Sequence, residues 1–121
     1  LLPGPLYASA KLEALSDAAC FCLPSRQEGF SMAITEALAI GCPVVISENC
    51  HFPEVAASGA GFVVRLDADE LAGAVLRVLA DDGLRQLLGR AGRNLVSSSY
   101  TWERIAEMTD RVYRAMYSKS E

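Results

Sequence analysis

Glu28 and Glu36 bracket a Gly29-Phe30-Ser31 segment that closes a turn and opens a helix. Two neighbouring carboxylates suggest acid–base chemistry first. A pair that cuts one glycosidic bond stands about 5–9.5 Å apart, with both groups aimed at that bond. Here a helix start intervenes, and about 1.5 Å of rise per residue puts the two carboxylates on the order of 10 Å apart. Between them, the leading N–H groups of Phe30, Ser31 and Met32 have no partner inside the helix and point outward at its positive end. Gly29 lets a ligand approach the backbone closely. The arrangement is a seat for an anion. It suits a ligand with hydroxyl groups at both ends and phosphate in the middle, the layout of a sugar–diphosphate–nucleoside.

Other reactive side chains carry weaker signals. His51 stands beside Cys50, but there is no Cys-x-x-Cys pair to build a zinc site. Cys20 and Cys22 lie in the apolar run Ala18-Ala19-Cys20-Phe21-Cys22-Leu23, where residues two apart share a strand face. They are expected to be small core side chains, and all four cysteines to be reduced thiols of a cytosolic protein. No metal is expected. Arg26 is read as a solvated loop arginine, and Glu54 after Pro53 as a turn or helix-start residue.

The elements that must position these residues alternate. A short helix is predicted over 8–17, with Leu12 and Leu15 on one side, and a buried strand over 20–23, stopped by Pro24-Ser25. A helix follows over 31–40, ended by Gly41 and Pro43. Val44-Val45-Ile46 is β-branched throughout, as in a strand covered on both faces. A short helix over 53–57 and a strand over 62–64 come next. Three amphipathic helices complete the chain, over 67–81 with Asp67 or Asp69 as cap, over 84–96, and over 102–117 with Thr101 as cap. Trp102 falls on the apolar stripe of the last helix and is expected in the core.

Strands separated by helices pair in parallel through right-handed crossovers. The expected fold is α/β, a truncated Rossmann-like three-layer sandwich with a short parallel sheet and a helical C-terminal end. The turn carrying Glu28 and Gly29 would then lie at the carboxyl ends of the strands, where open α/β sheets hold ligands.

Length and charge bound the function. At 121 residues the chain fits one domain, and a net charge of −4 argues against nucleic acid as a partner. No apolar run reaches the length of a membrane span. The chain opens on Leu1-Leu2-Pro3-Gly4-Pro5 without an initiator Met, and we expect it to be a segment of a longer protein.

The stretch Pro24-Ser25-Arg26-Gln27-Glu28-Gly29-Phe30 leading into Glu36-Ala37-Leu38-Ala39-Ile40-Gly41-Cys42-Pro43-Val44-Val45 resembles a known family. It is similar to the C-terminal domain of retaining glycosyltransferases of the GT-B fold, family 4 or group 1. Phe52-Pro53-Glu54-Val55, Ser58-Gly59-Ala60-Gly61-Phe62-Val63-Val64 and Tyr100-Thr101-Trp102 extend the resemblance across most of the chain.

The resemblance implies that residues 1–121 are the second half of a nucleotide-sugar-binding domain. Glu28 would be catalytic, beside the donor sugar. The amides at Gly29, Phe30 and Ser31 would hold sugar hydroxyls and diphosphate, and Glu36 the ribose hydroxyls. It implies no cofactor, a nucleotide-diphospho-sugar donor, an acceptor bound by an N-terminal domain, and a cytoplasmic or membrane-peripheral parent. Asp67-Ala68-Asp69 matches the Asp-x-Asp pattern of metal-dependent transferases, yet it heads an amphipathic helix and reads as a cap.

Family members neutralise the leaving diphosphate with an Arg/Lys pair on an earlier strand–loop, which has no counterpart in this sequence. Loss of such a clamp removes a dominant catalytic contribution, so the isolated chain is expected to be inactive. The Cys20–Leu23 strand is expected to be an exposed apolar edge, which a homodimer would cover. Two other readings stand beside the transferase. One is a nucleotide-sugar 2-epimerase-like isomerase of the same architecture. The other is a non-catalytic, self-associating α/β module.

Overall fold

The computed structural model describes residues 2–118. Helix α1 (Ala8–Asp17) leads into strand β1 (Phe21–Leu23), helix α2 (Met32–Ile40) and strand β2 (Val44–Ser47). A 3₁₀ turn at Glu48–Cys50 and helix α3 (Glu54–Ala57) precede strand β3 (Gly61–Val64). Helices α4 (Ala68–Ala80), α5 (Asp82–Ser99) and α6 (Trp102–Tyr117) follow.

The three strands form one parallel sheet in the order β1-β2-β3. Register pairs Phe21 with Val44, Cys22 with Val45 and Leu23 with Ile46, then Val44 with Gly61 and Ile46 with Val63. β2 is central, and Val44, Val45 and Ile46 are fully buried. Side chains alternate across the strand, so Val44 and Ile46 join Ile34, Ala37 and Leu38 of α2 on one face. Val45 meets Ala74 and Val78 of α4 on the other. Helix α5 serves both layers, giving Leu88 to the second cluster and Ala91, Leu95 and Val96 to the first. The three-layer α/β expectation holds.

Local chemistry explains the boundaries. Gly41 ends α2 at φ +88°, a left-handed conformation in which its N–H donates to the carbonyls of Ala37 and Leu38. Asp67 caps α4 by accepting from the amides of Asp69 and Glu70 at 3.1 Å each. Thr101 caps α6 by accepting from Arg104 at 3.3 Å. Helices α2 and α5 cross closely because Gly89 has no side chain. A β-carbon there would collide with the Gly41 carbonyl, and one at Gly92 would press on Leu38 Cδ2.

Two expectations require correction. Trp102 is not in the core; it is 79% exposed, and no residue of α6 is buried. Periodicity gave α6 its stripe correctly, but the helix borders open clefts instead of a core, with Trp102 and Ile105 beside Phe30 and Tyr100, and Met108 and Arg111 beside Glu54. Cys22 is exposed and Cys20 is half-buried, whereas Cys42 and Cys50 are the buried thiols. Cys22 stands level with Val45, but α4 packs over β2 and β3 and leaves β1 uncovered on that face. β1 is an edge strand, as expected, with β2 as its only strand partner among the described residues.

Candidate functional site

In a parallel sheet all strands end at one rim. The turn after β1 carries Glu28 and Gly29, and the segment after β2 carries Glu48–His51, so the two meet there. Ser47 Oγ donates to the Ser25 carbonyl at 2.6 Å, and Cys50 Sγ approaches the Leu23 carbonyl at 3.6 Å. The Glu28 amide donates to the Asn49 carbonyl at 3.1 Å. Ser25 Oγ donates to the Gln27 carbonyl at 3.0 Å, closing the turn on itself.

The loop thus delivers Glu28 half-buried at the rim, with no hydrogen bond or ion pair to its carboxylate among the described residues. Exposed His51 lies beside the loop. Its Nδ1 lies 3.3 Å from the Glu28 carbonyl oxygen, which accepts when that nitrogen carries the proton. His51 itself is held in the left-handed region at φ +51°. A non-glycine residue pays a steric penalty there, and such positions are typically held by their surroundings.

Gly29 is exposed and has open space where a β-carbon would stand. Ser31 follows as the N-cap of α2, buried, with no capping bond from its side chain. Its carbonyl instead accepts from Thr35 Oγ1 at 3.2 Å. The leading amides of α2 are therefore left to the rim. Phe30 projects beside them, 58% exposed, its ring stacked on Tyr100 at 5.6 Å and tilted on Phe52 at 5.7 Å. Burial pushes the Tyr100 hydroxyl up, with the Glu54 charge adding to the effect.

Glu36 lies one turn further along α2, half-buried, and Lys11 of α1 donates to its Oε1 at 2.7 Å. All five predicted site residues, Glu28, Gly29, Phe30, Ser31 and Glu36, thus fall on one loop and the first half of one helix. Arg26 is exposed in that loop, and Glu54 begins α3, as read from the sequence. Lys11 and the His51 contact to Glu28 were not foreseen. Both join residues more than twenty positions apart, and no local spacing signals them. The aromatic trio Phe30, Phe52 and Tyr100 has the same origin.

Among the described residues no group of three or more His, Cys, Asp or Glu side chains is placed to hold a metal. No helix there is long and apolar enough to cross a membrane.

A family model described as Glycosyl transferases group 1 matches residues 2–95. Among curated relatives, MMP alpha-(1->4)-mannosyltransferase of Mycolicibacterium hassiacum is 35% identical over 102 residues, covering 82% of this chain and 25% of that protein. Alpha-maltose-1-phosphate synthase of Mycobacterium tuberculosis is 37% identical over 110 residues, covering 84% of this chain and 28% of that protein. This chain therefore spans 25% and 28% of the length of these two relatives. Sucrose-phosphate synthase from Thermosynechococcus elongatus superposes with a TM-score of 0.77 at 32% identity, over 88% of this chain and 27% of that one. The C-terminal domain of a group 1 glycosyl transferase from Francisella tularensis has the same fold, with a TM-score of 0.69 at 24% identity, over 82% of this chain and 52% of that one. A match across residues 2–95, together with two relatives above 30% identity, settles the family: this chain belongs to the glycosyl transferases of group 1.

Proposed function

We propose that this chain is the donor-binding portion of a retaining glycosyltransferase and that it holds a nucleotide-diphospho-sugar at the rim built by Glu28, the start of α2 and Glu36. Glu28 stands beside the sugar. The amides at Gly29, Phe30 and Ser31 hold sugar hydroxyls and diphosphate, and Glu36 accepts from the ribose hydroxyls. The observation that carries the reading is the uncapped start of α2 at the carboxyl ends of β1 and β2, flanked by two partly exposed carboxylates. A diphosphate there gains from the helix dipole and from backbone donors without needing a basic side chain.

Donor binding is proposed for the 121-residue chain itself, and sugar transfer for the full-length protein, in which a further domain supplies the acceptor. Calorimetric titration with UDP and GDP tests the first part. Binding of either one, weakened by Glu36→Ala, supports it. Absence of heat with both nucleotides, in the unmodified chain and in Glu36→Ala alike, would leave only a self-associating module.

Self-association forms a second part of the proposal. β1 offers an unpaired backbone edge, with Cys22 exposed and Phe21 and Leu23 only half-covered. Such edges recruit strands, and a symmetric dimer across β1 would close this one. Solution scattering that reports a monomer at high concentration would refute it.

A further inference from the structure

At the opposite end of the sheet lies a second concavity. Ala18 and Ala19 precede β1, and Pro43 precedes β2, so these residues mark the amino ends of the strands. With the end of α2 at Gly41 and one face of α5, they line a cleft of about 560 Å³. Its charged side chains are Arg85, Arg90 and Arg93 of α5 and Asp17 at the end of α1. Three guanidiniums face Asp17 across the cleft, and even with Asp82 paired to Arg85 they leave a positive island in a chain of net charge −4.

Two of these arginines have a structural task. Arg85 Nη1 donates to the carbonyls of Val78 at 2.9 Å and Leu79 at 2.7 Å, near the end of α4, and Nη2 pairs with Asp82. Arg93 Nη1 donates to the Ile40 carbonyl at 3.0 Å, in the last turn of α2. Carbonyl ends of helices repel anions, and these contacts offset that repulsion. Each guanidinium has five N–H donors, so both keep donors in reserve while their side chains are already held. Donors ordered beforehand lose less freedom when a ligand arrives.

Arg90 has no such task. It is exposed and makes no hydrogen bond or ion pair among the described residues. Helix capping therefore explains Arg85 and Arg93 but not the third like charge beside them.

We propose that this cleft binds a phosphate-bearing small molecule at a site separate from the rim, with Arg90 and the spare donors of Arg85 and Arg93 on the phosphoryl oxygens. Planar guanidinium forks match phosphate oxygens two at a time. With Asp82 paired to Arg85, the three arginines and two aspartates leave one net positive charge, which a phosphoryl monoanion matches. The cleft volume falls within the range of small-molecule sites, about 300–1,000 Å³.

The test is an NMR titration of the 121-residue chain with inorganic phosphate and with pyrophosphate at constant ionic strength, using chloride as the control. It follows the arginine Nε–Hε signals and the amides of Gly41 and Gly89. Saturable shifts are expected at these positions, with the dissociation constant raised about tenfold in Arg90→Ala through loss of a charge-assisted pair. Arg90→Lys should recover part of that loss, and Glu36→Ala should leave the shifts unchanged. Because Arg90 is exposed and makes no internal hydrogen bond or ion pair among the described residues, its replacement is expected to leave the fold intact, which the amide spectrum checks. Lack of saturation with both anions, or equal affinity in Arg90→Ala, would overturn the proposal. So would tighter binding of an acidic peptide than of pyrophosphate at the same residues, which would make the cleft a protein-docking site.

Discussion

Lys11 Nζ stands 2.7 Å from Glu36 Oε1, joining α1 to the middle of α2. Only one carboxylate oxygen is engaged among the described residues, so the pair orients Glu36 without consuming it. Both side chains are about a third exposed or more, at 40% and 32%, and water screens much of the attraction.

Lys11→Met should accordingly change unfolding stability by no more than about 1 kcal/mol. If Glu36 takes the ribose hydroxyls, the same substitution should weaken nucleotide binding several-fold, because the carboxylate loses its fixed orientation. Chemical denaturation and calorimetry on the same samples separate the two effects. A large stability loss with unchanged affinity would make Lys11 purely structural.

Gly89→Ala should destabilise the chain by about 1–3 kcal/mol, the usual penalty for forcing an extra carbon into a packed contact. The added β-carbon meets the Gly41 carbonyl, which is backbone and has no rotamer to yield. Gly73→Ala is the control, since its β-carbon would meet open space on α4. It should be neutral or mildly stabilising by thermal denaturation.

Acid should weaken the start of α4. Arg65 Nε donates to Glu70 Oε1, and the Arg65 amide donates to Glu70 Oε2 at 3.0 Å. The guanidinium bond first, and then the amide bond, hold the Glu70 carboxyl below its usual value. A depressed carboxyl contributes stability that is complete above its unfolded value and is lost as pH falls through the folded one. Thermal melts from pH 7 to pH 3 should therefore fall more steeply in the unmodified chain than in Glu70→Gln. Parallel curves would show that the pair contributes nothing.

The thiols should react in order of access. Cys22 lies at the surface, although neighbouring atoms desolvate it enough to push its pKa up. Cys20 is pushed up further, to about 11, by burial and then by the nearby Cys22 and Cys42 thiols. Alkylation proceeds through the thiolate, so Cys22 should label first and speed up as pH rises, with Cys20 behind it. Cys42 and Cys50 should label only on unfolding. Mass mapping of labelled peptides over time reads this directly, and early labelling at Cys50 would contradict the packing described.

Where backbone chemistry is local, the sequence was a reliable guide. Gly41 and Pro43 marked the end of α2, and Asp67 and Thr101 marked two helix starts, because each of these residues acts within four positions of itself. The β-branched run at Val44 announced a strand covered on both faces. Burial was harder to read. Periodicity places Trp102, Ile105 and Val112 on one stripe of α6 but does not say what faces that stripe, and Trp102 was assigned to the core on that ground. Cys22 failed for a related reason: its strand is at the edge, and one covering layer stops short of it. The 3₁₀ turn at Glu48–Cys50 is too short to show any period. At the rim, chain proximity grouped Glu28 through Glu36. The Lys11 and His51 contacts depend on how α1 and the β2–α3 loop come back onto that segment, which no spacing encodes.

The close crossing of α2 and α5 bears on how the rim adapts. With the Gly41 carbonyl seated against Gly89 and the Arg93 guanidinium bonded to Ile40, α2 cannot slide or roll without a backbone collision. The segment that bears Glu36 is a fixed post. A molecule arriving at the rim must be accommodated by torsions of Glu28, Phe30 and Met32, whose side chains are at least partly free, while the main chain beneath them stays still.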